Sequence, residues 1–117
     1  MPECVFCAIA VGEAAAMRVL ETARTVAFRD INPQAPSHVL VIPKAHHRDV
    51  AALAQVDGGL LAEVLAQAHA VAQADGIAET GYRVVFNTGN HAGQTVPHVH
   101  AHVLGGKQMG WPPWPPA

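Results

Sequence analysis

Charge is what this sequence has least of. Only 14% of its 117 residues are Asp, Glu, Lys or Arg, against about a quarter in an average soluble domain. Half of the residues are apolar, so the chain is not of the disordered kind, in which high charge and low hydrophobicity prevent a core from forming. A basic excess is missing too, since seven Lys and Arg stand against nine Asp and Glu. Holding a nucleic-acid backbone by counterion release needs concentrated positive charge, so DNA and RNA are not expected partners. Long apolar runs are absent, because Pro43, Glu63 and His69 interrupt the apolar stretches well short of the roughly 20 residues of a membrane span. No membrane partner is expected. Two cysteines three positions apart cannot staple distant segments. The first basic residue is Arg18, whereas a secretory signal starts with charge. The expectation is a reduced, cytoplasmic, single-domain protein without internal repeats or linkers.

The pattern of apolar positions and chain breakers suggests the order of elements. Residues 3–12 have apolar side chains at 5, 6, 9 and 10 and predict a short helix ended by Gly12. Residues 19–21 and 25–29 read as a hairpin around Ala23 and Arg24. Two prolines make 30–37 a loop. The apolar run 38–42, closed by Pro43, reads as a strand buried on both faces. Asp49 and Asp57 can cap a short helix and a longer one that ends at Asp75-Gly76. Strands follow at 82–86 and 96–104, separated by the glycine-containing polar loop 87–95, and Gly105-Gly106 ends the second of them. Strands in a block, with helices before and between them, predict an α+β fold: an antiparallel sheet with helices on one face.

Eight histidines are many for this length, and three of them, His98, His100 and His102, alternate with Val99, Ala101 and Val103. In a strand the two sets face opposite sides, with successive imidazoles starting roughly 6.6–7 Å apart. The apolar set belongs to the core. Three imidazoles on one face require polar partners or a ligand, because they cannot all be charged together at low cost. Three readings are open at this point: a solvated face, two histidines converging on a zinc, or a neutral imidazole attacking an electrophilic phosphorus. Asn87, Gln94 and Thr95 offer uncharged donors, and Gly89 and Gly93 let backbone N–H groups approach an oxyanion, which favours phosphorus chemistry. No carboxylate follows Glu79, which counts against a hydrolytic metal centre.

The segment His-Val-His-Ala-His-Val-Leu at 98–104 resembles the signature of the histidine triad (HIT) superfamily. The likeness extends over nearly the whole chain. Cys4-Val-Phe-Cys7, Gly12-Glu13, the run from Phe28 to Pro36, His38 to Lys44 with His46, Gly93-Gln-Thr-Val, and the ending Leu104-Gly-Gly-Lys-Gln-Met-Gly-Trp-Pro-Pro113 are all similar to the Hint branch. The resemblance implies a HIT domain over residues 1–110, a Trp- and Pro-rich tail over 111–117, and a sheet of about five strands extended across a homodimer. It also implies a purine nucleoside phosphoramidase, which cleaves the P–N bond of adenosine 5′-phosphoramidates and aminoacyl-AMP-like compounds and releases AMP.

By this similarity His100 would be the nucleophile and carry a covalent nucleotidyl intermediate. His98 and His102 would flank it, and His38 would complete the site. Gly93, Gln94 and Thr95 would bind the phosphate and leaving group, and Asn87 phosphate or ribose-side oxygens. Asp30 would accept the ribose hydroxyls, and Val5, Phe6, Ile9, Phe28 and Ile31 would form the purine slot. The general acid would be His102 or an imidazolium pair. Trp111 would touch the leaving-group side of the partner subunit's site; no role is assigned to Trp114 and the residues after it. Pro97 departs from the tyrosine of eukaryotic members and would alter only the pocket rim. No cofactor is required for this chemistry. Cys4-x-x-Cys7 nevertheless has the spacing of half a zinc site, which His46 or His47 together with His98 would complete, as in zinc-bearing relatives. The alternative is a pair of buried or helix-face thiols. Two rival functions are a dinucleoside polyphosphate hydrolase or nucleotidyl transferase of the same fold, and a regulatory protein that binds purine nucleotides. The former relatives usually lack the Gly-Gly-x-Gln-Met-x-Trp ending present at 105–111.

Overall fold

A computed structural model describes residues 4–113. Residues 114–117 of the tail lie outside the described residues. The chain forms helix α1 (Val5–Ala10), strands β1 (Arg18–Glu21), β2 (Thr25–Arg29) and β3 (Ser37–Pro43), helices α2 (Val50–Val56) and α3 (Gly58–Ala74), and strands β4 (Tyr82–Phe86) and β5 (Ala101–Gly105). The strands make one sheet in the order β1-β2-β3-β5-β4, and every neighbouring pair is antiparallel.

Local chemistry explains the helix starts. Asp49 accepts the N–H of Ala52 at 2.9 Å and Asp57 that of Leu60 at 3.0 Å, so each carboxylate satisfies an otherwise unpaired donor in a first turn. Both carboxyls are held below their usual range, chiefly by these backbone bonds. Cys4 caps α1 in the same way, its Sγ accepting the Cys7 N–H at 3.3 Å. At the other end of α3, Asp75 receives both Arg29 guanidinium nitrogens at 2.5 and 2.8 Å and the Ser37 hydroxyl at 2.5 Å, tying the helix to β2 and β3.

The sheet is covered on both faces. Ala27, Val39, Val41, Ala101 and Val103 pack against Leu60, Val64, Ala68 and Val71 of α3, while Val26, Phe28, Leu40 and Ile42 pack against Phe6 and Ile9 of α1. The expectation of helices on a single face is therefore corrected: the short helix lies opposite the long one, because alternate residues of β2 and β3 are apolar on both sides. This makes β3 the centre of the molecule, with all seven of its residues buried.

A second difference concerns residues 96–104. Ladder pairing begins only at Ala101, and residues 96–98 bend. Pro97 cannot donate to a ladder, and the N–H of Val99 is taken at 2.7 Å by the carbonyl of His47 instead. The alternation of faces survives the shortening, since Val99, Ala101 and Val103 share the α3-side core. The strand leads into close packing at Gly105, where a Cβ would stand 2.6 Å from Ile77 Cδ1.

Candidate active site and its paired metal set

The three alternating histidines leave the same face of the chain and part company within two residues of one another. The rings of His98 and His100 are held by backbone groups and that of His102 by the His38 ring, itself pinned by a backbone N–H, and these partners settle which nitrogen carries the proton, since a carbonyl only accepts and an N–H only donates.

His98 is fully buried and its Nε2 lies 2.9 Å from the carbonyl of Pro43. Nε2 is therefore the protonated nitrogen, and Nδ1 presents a bare lone pair. That lone pair faces Cys4 Sγ at 3.3 Å and Cys7 Sγ at 3.5 Å. His46 Nδ1 approaches Cys7 Sγ at 3.3 Å from the other side. One donor atom from each of Cys4, Cys7, His46 and His98 falls within 4.8 Å of all the others. Two thiols and two imidazoles gathered this closely are the donor set of a structural zinc, and the tautomer of His98 already suits a ligand. These residues fit the metal, so the possible structural zinc expected from the Cys-x-x-Cys spacing has its four ligands in place. Both cysteines are free thiols. Burial and the neighbouring Cys4 push the Cys7 thiol up to about 11, and a bound cation would reverse that by favouring the thiolate.

His100, also buried, places Nδ1 2.8 Å from the carbonyl of His98. Its proton sits on Nδ1, which leaves Nε2 with the lone pair. Phe6 meets this ring edge-on, with centroids 5.1 Å apart, and Phe28 packs edge-on against Phe6 at 5.5 Å.

His102 points to a different set of partners. The N–H of Gln34 donates to His38 Nδ1 at 3.0 Å, so a neutral His38 carries its proton on Nε2. That proton faces His102 Nδ1 at 2.9 Å, and Asp30 Oδ2 lies 3.4 Å from His38 Nε2. A neutral His102 is in turn protonated on Nε2, which stands 3.5 Å from the Asn87 amide nitrogen, so the amide accepts that proton only with its oxygen turned to the ring. Burial pushes the imidazole of His102 down to about 4, helped by the neighbouring His100 and His38. His38 is lowered by burial as well, with Asp30 acting in the opposite direction. Asp30, His38 and His102 also stand close enough to enclose a cation. The Gln34 amide argues against that use, because a metal on His38 Nε2 would force a proton onto Nδ1, against an N–H. Within the trio the hydrogen bond joins His38 to His102, with the Asp30 carboxylate beside the pair.

The remaining predicted residues divide clearly. Phe6, Ile9 and Phe28 form one buried cluster, whereas Val5 is half exposed and Ile31 fully exposed. Asp30 Oδ1 accepts the Asn32 N–H at 2.8 Å, which fixes the carboxylate. Gln94 braces its own loop: its amide bonds the Gly89 N–H at 3.0 Å, the Arg48 carbonyl at 2.8 Å and the Val96 carbonyl at 3.2 Å. Gly93 ends the 3₁₀ turn Asn90–Ala92 at φ +80°, a conformation open to glycine, and Thr95 is exposed beside it. Trp111 is exposed, and His47 contributes its carbonyl to Val99 while His46 joins the thiols. Sequence reading missed the backbone pins, the Pro43 carbonyl and the Gln34 N–H. No side-chain type marks them, and only the spacing of Gln34 before His38 in a proline loop hinted at a local contact.

Comparison with known proteins agrees with this geometry. A family model described as the HIT domain matches residues 11–109. An uncharacterized 13.2 kDa HIT-like protein of Azospirillum brasilense is 44% identical over 110 residues, covering 93% of this chain and 90% of that protein. A 14 kDa zinc-binding protein of Zea mays is 47% identical over 98 residues, 81% of this chain and 75% of that one. Among solved structures, a HIT family hydrolase from Legionella pneumophila Philadelphia 1 superposes with a TM-score of 0.92 at 50% identity, over 96% of this chain and all of that one. A histidine triad protein from Clostridium difficile gives 0.89 at 36% identity, over 94% and 96% of the two chains.

Proposed function

The chain belongs to the HIT-domain family, and from that premise we propose that it is a nucleoside phosphoramidase of the Hint kind, hydrolysing the P–N bond of adenosine 5′-phosphoramidates through a nucleotidyl-histidine. The observation that carries this reading is the set of complementary tautomers: a bare Nε2 on His100 beside a protonated Nε2 on His102, with ring centroids 5.0 Å apart. One atom can attack phosphorus and the other can meet the departing nitrogen.

In the first step the His100 Nε2 lone pair forms a bond to phosphorus and the P–N bond breaks. The carbonyl of His98 stabilises the positive charge that develops on the His100 ring, since Nδ1–H already points at it. An amine leaves readily only when protonated. The His38–His102 pair therefore takes up one proton with the substrate, favoured by the phosphoryl anion and Asp30, and His102 hands it to the nitrogen. Water then attacks phosphorus, the bond to His100 breaks, AMP is released and the pair regains its proton. Asp30, an acceptor-only group when ionised, suits the two ribose hydroxyls. Phe6, Ile9 and Phe28, with Val5 and Ile31 at the rim, suit a purine. Gly93 and Thr95 suit the phosphate in the loop that Gln94 braces, and Asn87 the oxygens beside His102. Two copies joined at the β4 edge would extend the sheet, and Trp111 would serve the partner subunit's leaving-group side. Zinc, held by Cys4, Cys7, His46 and His98, would supply structural cross-linking of α1 to the segment before β5.

Incubation of the protein with an adenosine phosphoramidate and with diadenosine tetraphosphate tests the proposal. The expected result is preferential P–N cleavage, unaffected by a chelator, with an AMP adduct on His100 in acid-quenched samples. Rapid cleavage with no adduct on that ring overturns the covalent route, and preference for the tetraphosphate overturns the substrate class.

A further inference from the structure

Trp111 poses a problem that the site leaves open. Its side chain is 82% exposed, and it follows the irregular stretch after β5, in which Gly110 gives the backbone wide freedom. An exposed aromatic at the end of such a stretch would sweep a large volume. One residue opposes this. Arg83 of β4 donates from Nη2 to the carbonyl of Gly110, and its guanidinium carbon lies 5.9 Å from the centroid of the Trp111 ring. A single planar cation thus fixes the peptide before the indole and the ring itself, a combination that the guanidinium fork allows and an ammonium does not.

The place of Arg83 in the sheet gives the contact its meaning. Arg83 lies opposite Leu104, and Val85 lies opposite His102, so directly paired side chains put Arg83, Val85 and His102 on one face. β4 is an edge strand. A cavity of about 830 Å³ opens between Trp111 and the loop residues Asn87 and His91, floored by β4. Asn87 is also the residue that reaches His102. The indole is therefore held by a residue of the edge strand at which two copies would join, beside a cavity that the second copy would cover.

We propose that Arg83 is a positioning residue that sets leaving-group specificity, by anchoring Gly110 and the Trp111 ring so that the indole receives the aromatic or apolar substituent of the amine departing from the partner subunit's site. This rests on the phosphoramidase reading and on Trp111 as its leaving-group contact. Because the chain has two tryptophans, the test uses a Trp114→Phe parent, in which fluorescence reports Trp111 alone. Arg83→Ala and Arg83→Met are compared with that parent, the second keeping the side-chain stem and removing only charge and donors. Tryptophan anisotropy is expected to fall and acrylamide quenching to rise in both. With adenosine phosphoramidates of phenethylamine and of methylamine, kcat/KM for the first is expected to drop about fivefold through KM, and for the second to stay within twofold. Arg83→Lys is expected to restore less than half of the loss, and Arg83→Ala combined with Trp111→Ala to lose no more than Trp111→Ala alone. Parent-level anisotropy, parent-level selectivity, or additive losses in the double variant overturn the role of Arg83. A parent that cleaves neither compound instead overturns the phosphoramidase reading, and the fluorescence result then decides the anchor by itself.

Discussion

His98 and His102 lie four residues apart on the same side of one segment, and burial lowers both to about 4. Both are therefore neutral near pH 7, and nothing in their type or titration distinguishes them. Their partners do. The Pro43 carbonyl takes the proton of His98 on Nε2 and turns a bare Nδ1 towards two thiols. The Gln34 N–H, acting through His38, turns the bare Nδ1 of His102 inward and leaves Nε2–H facing Asn87. One backbone acceptor gives His98 the tautomer a metal ligand needs, and one backbone donor, through His38, gives His102 the tautomer a proton donor needs. His100 lies between them and borrows from both, with its proton held by the carbonyl of His98 and its ring against His102.

The comparison breaks most severely at its centre. His100→Ala removes the proposed nucleophile and is expected to lower P–N turnover at least about a thousandfold, while zinc content measured by atomic absorption stays that of the parent. Loss of zinc in this variant would mean that the two ends are one unit. The next largest effect is at the His38–His102 pair. His102→Ala is expected to reduce kcat about a hundredfold, the scale of general acid catalysis, again with unchanged zinc content.

The thiol end should respond in the opposite sense. The double variant Cys4→Ser and Cys7→Ser is expected to bind no zinc. It should lose the stabilisation of about 2.7 kcal/mol that a ligand at a hundredfold excess over its Kd confers, read as a zinc-dependent shift of the urea midpoint. Turnover at saturating substrate is expected to remain within about threefold of the parent. A hundredfold fall would show that the metal end does more than hold the chain together.

The smallest effect is in the pH dependence of stability. The folded chain protonates His102 only around pH 4, whereas an unfolded imidazole does so near pH 6.5. The unfolded state binds the proton first, so stability present above about pH 6.5 is lost as the pH falls towards 4, at no more than about 1.4 kcal/mol per pH unit for this ring. Urea midpoints between pH 7.5 and 5 should therefore fall less steeply in His102→Asn than in the parent. Equal slopes would show that the pair keeps no ring neutral.

Much of this was legible before the structure. The caps Asp49 and Asp57, the doubly buried strand 38–42 and the hairpin around Ala23 follow from side-chain type and period, because local hydrogen bonding and burial act over a few residues. The position of α1 on the far face of the sheet was not legible, since a helix of six residues carries too little pattern to say which apolar face it meets. The strand 96–104 proved half as long because the His47 carbonyl, distant in sequence, captured the Val99 N–H. Gln94 has donor and acceptor groups that suit a ligand as well as a loop brace, and only its partners distinguish the two.

By itself the sequence determined that three imidazoles leave one side of a chain whose other side is core, and that two thiols wait one helical turn apart at its start. Their division of labour was decided by the tertiary structure. Imidazole is a donor at one nitrogen and an acceptor at the other, and which is which depends on the backbone group that happens to stand 3 Å away. Those groups, the Pro43 carbonyl, the Gln34 N–H and the His98 carbonyl, have no side-chain identity to read. They acquire their roles only when β3, the proline loop before it and the segment entering β5 are brought together.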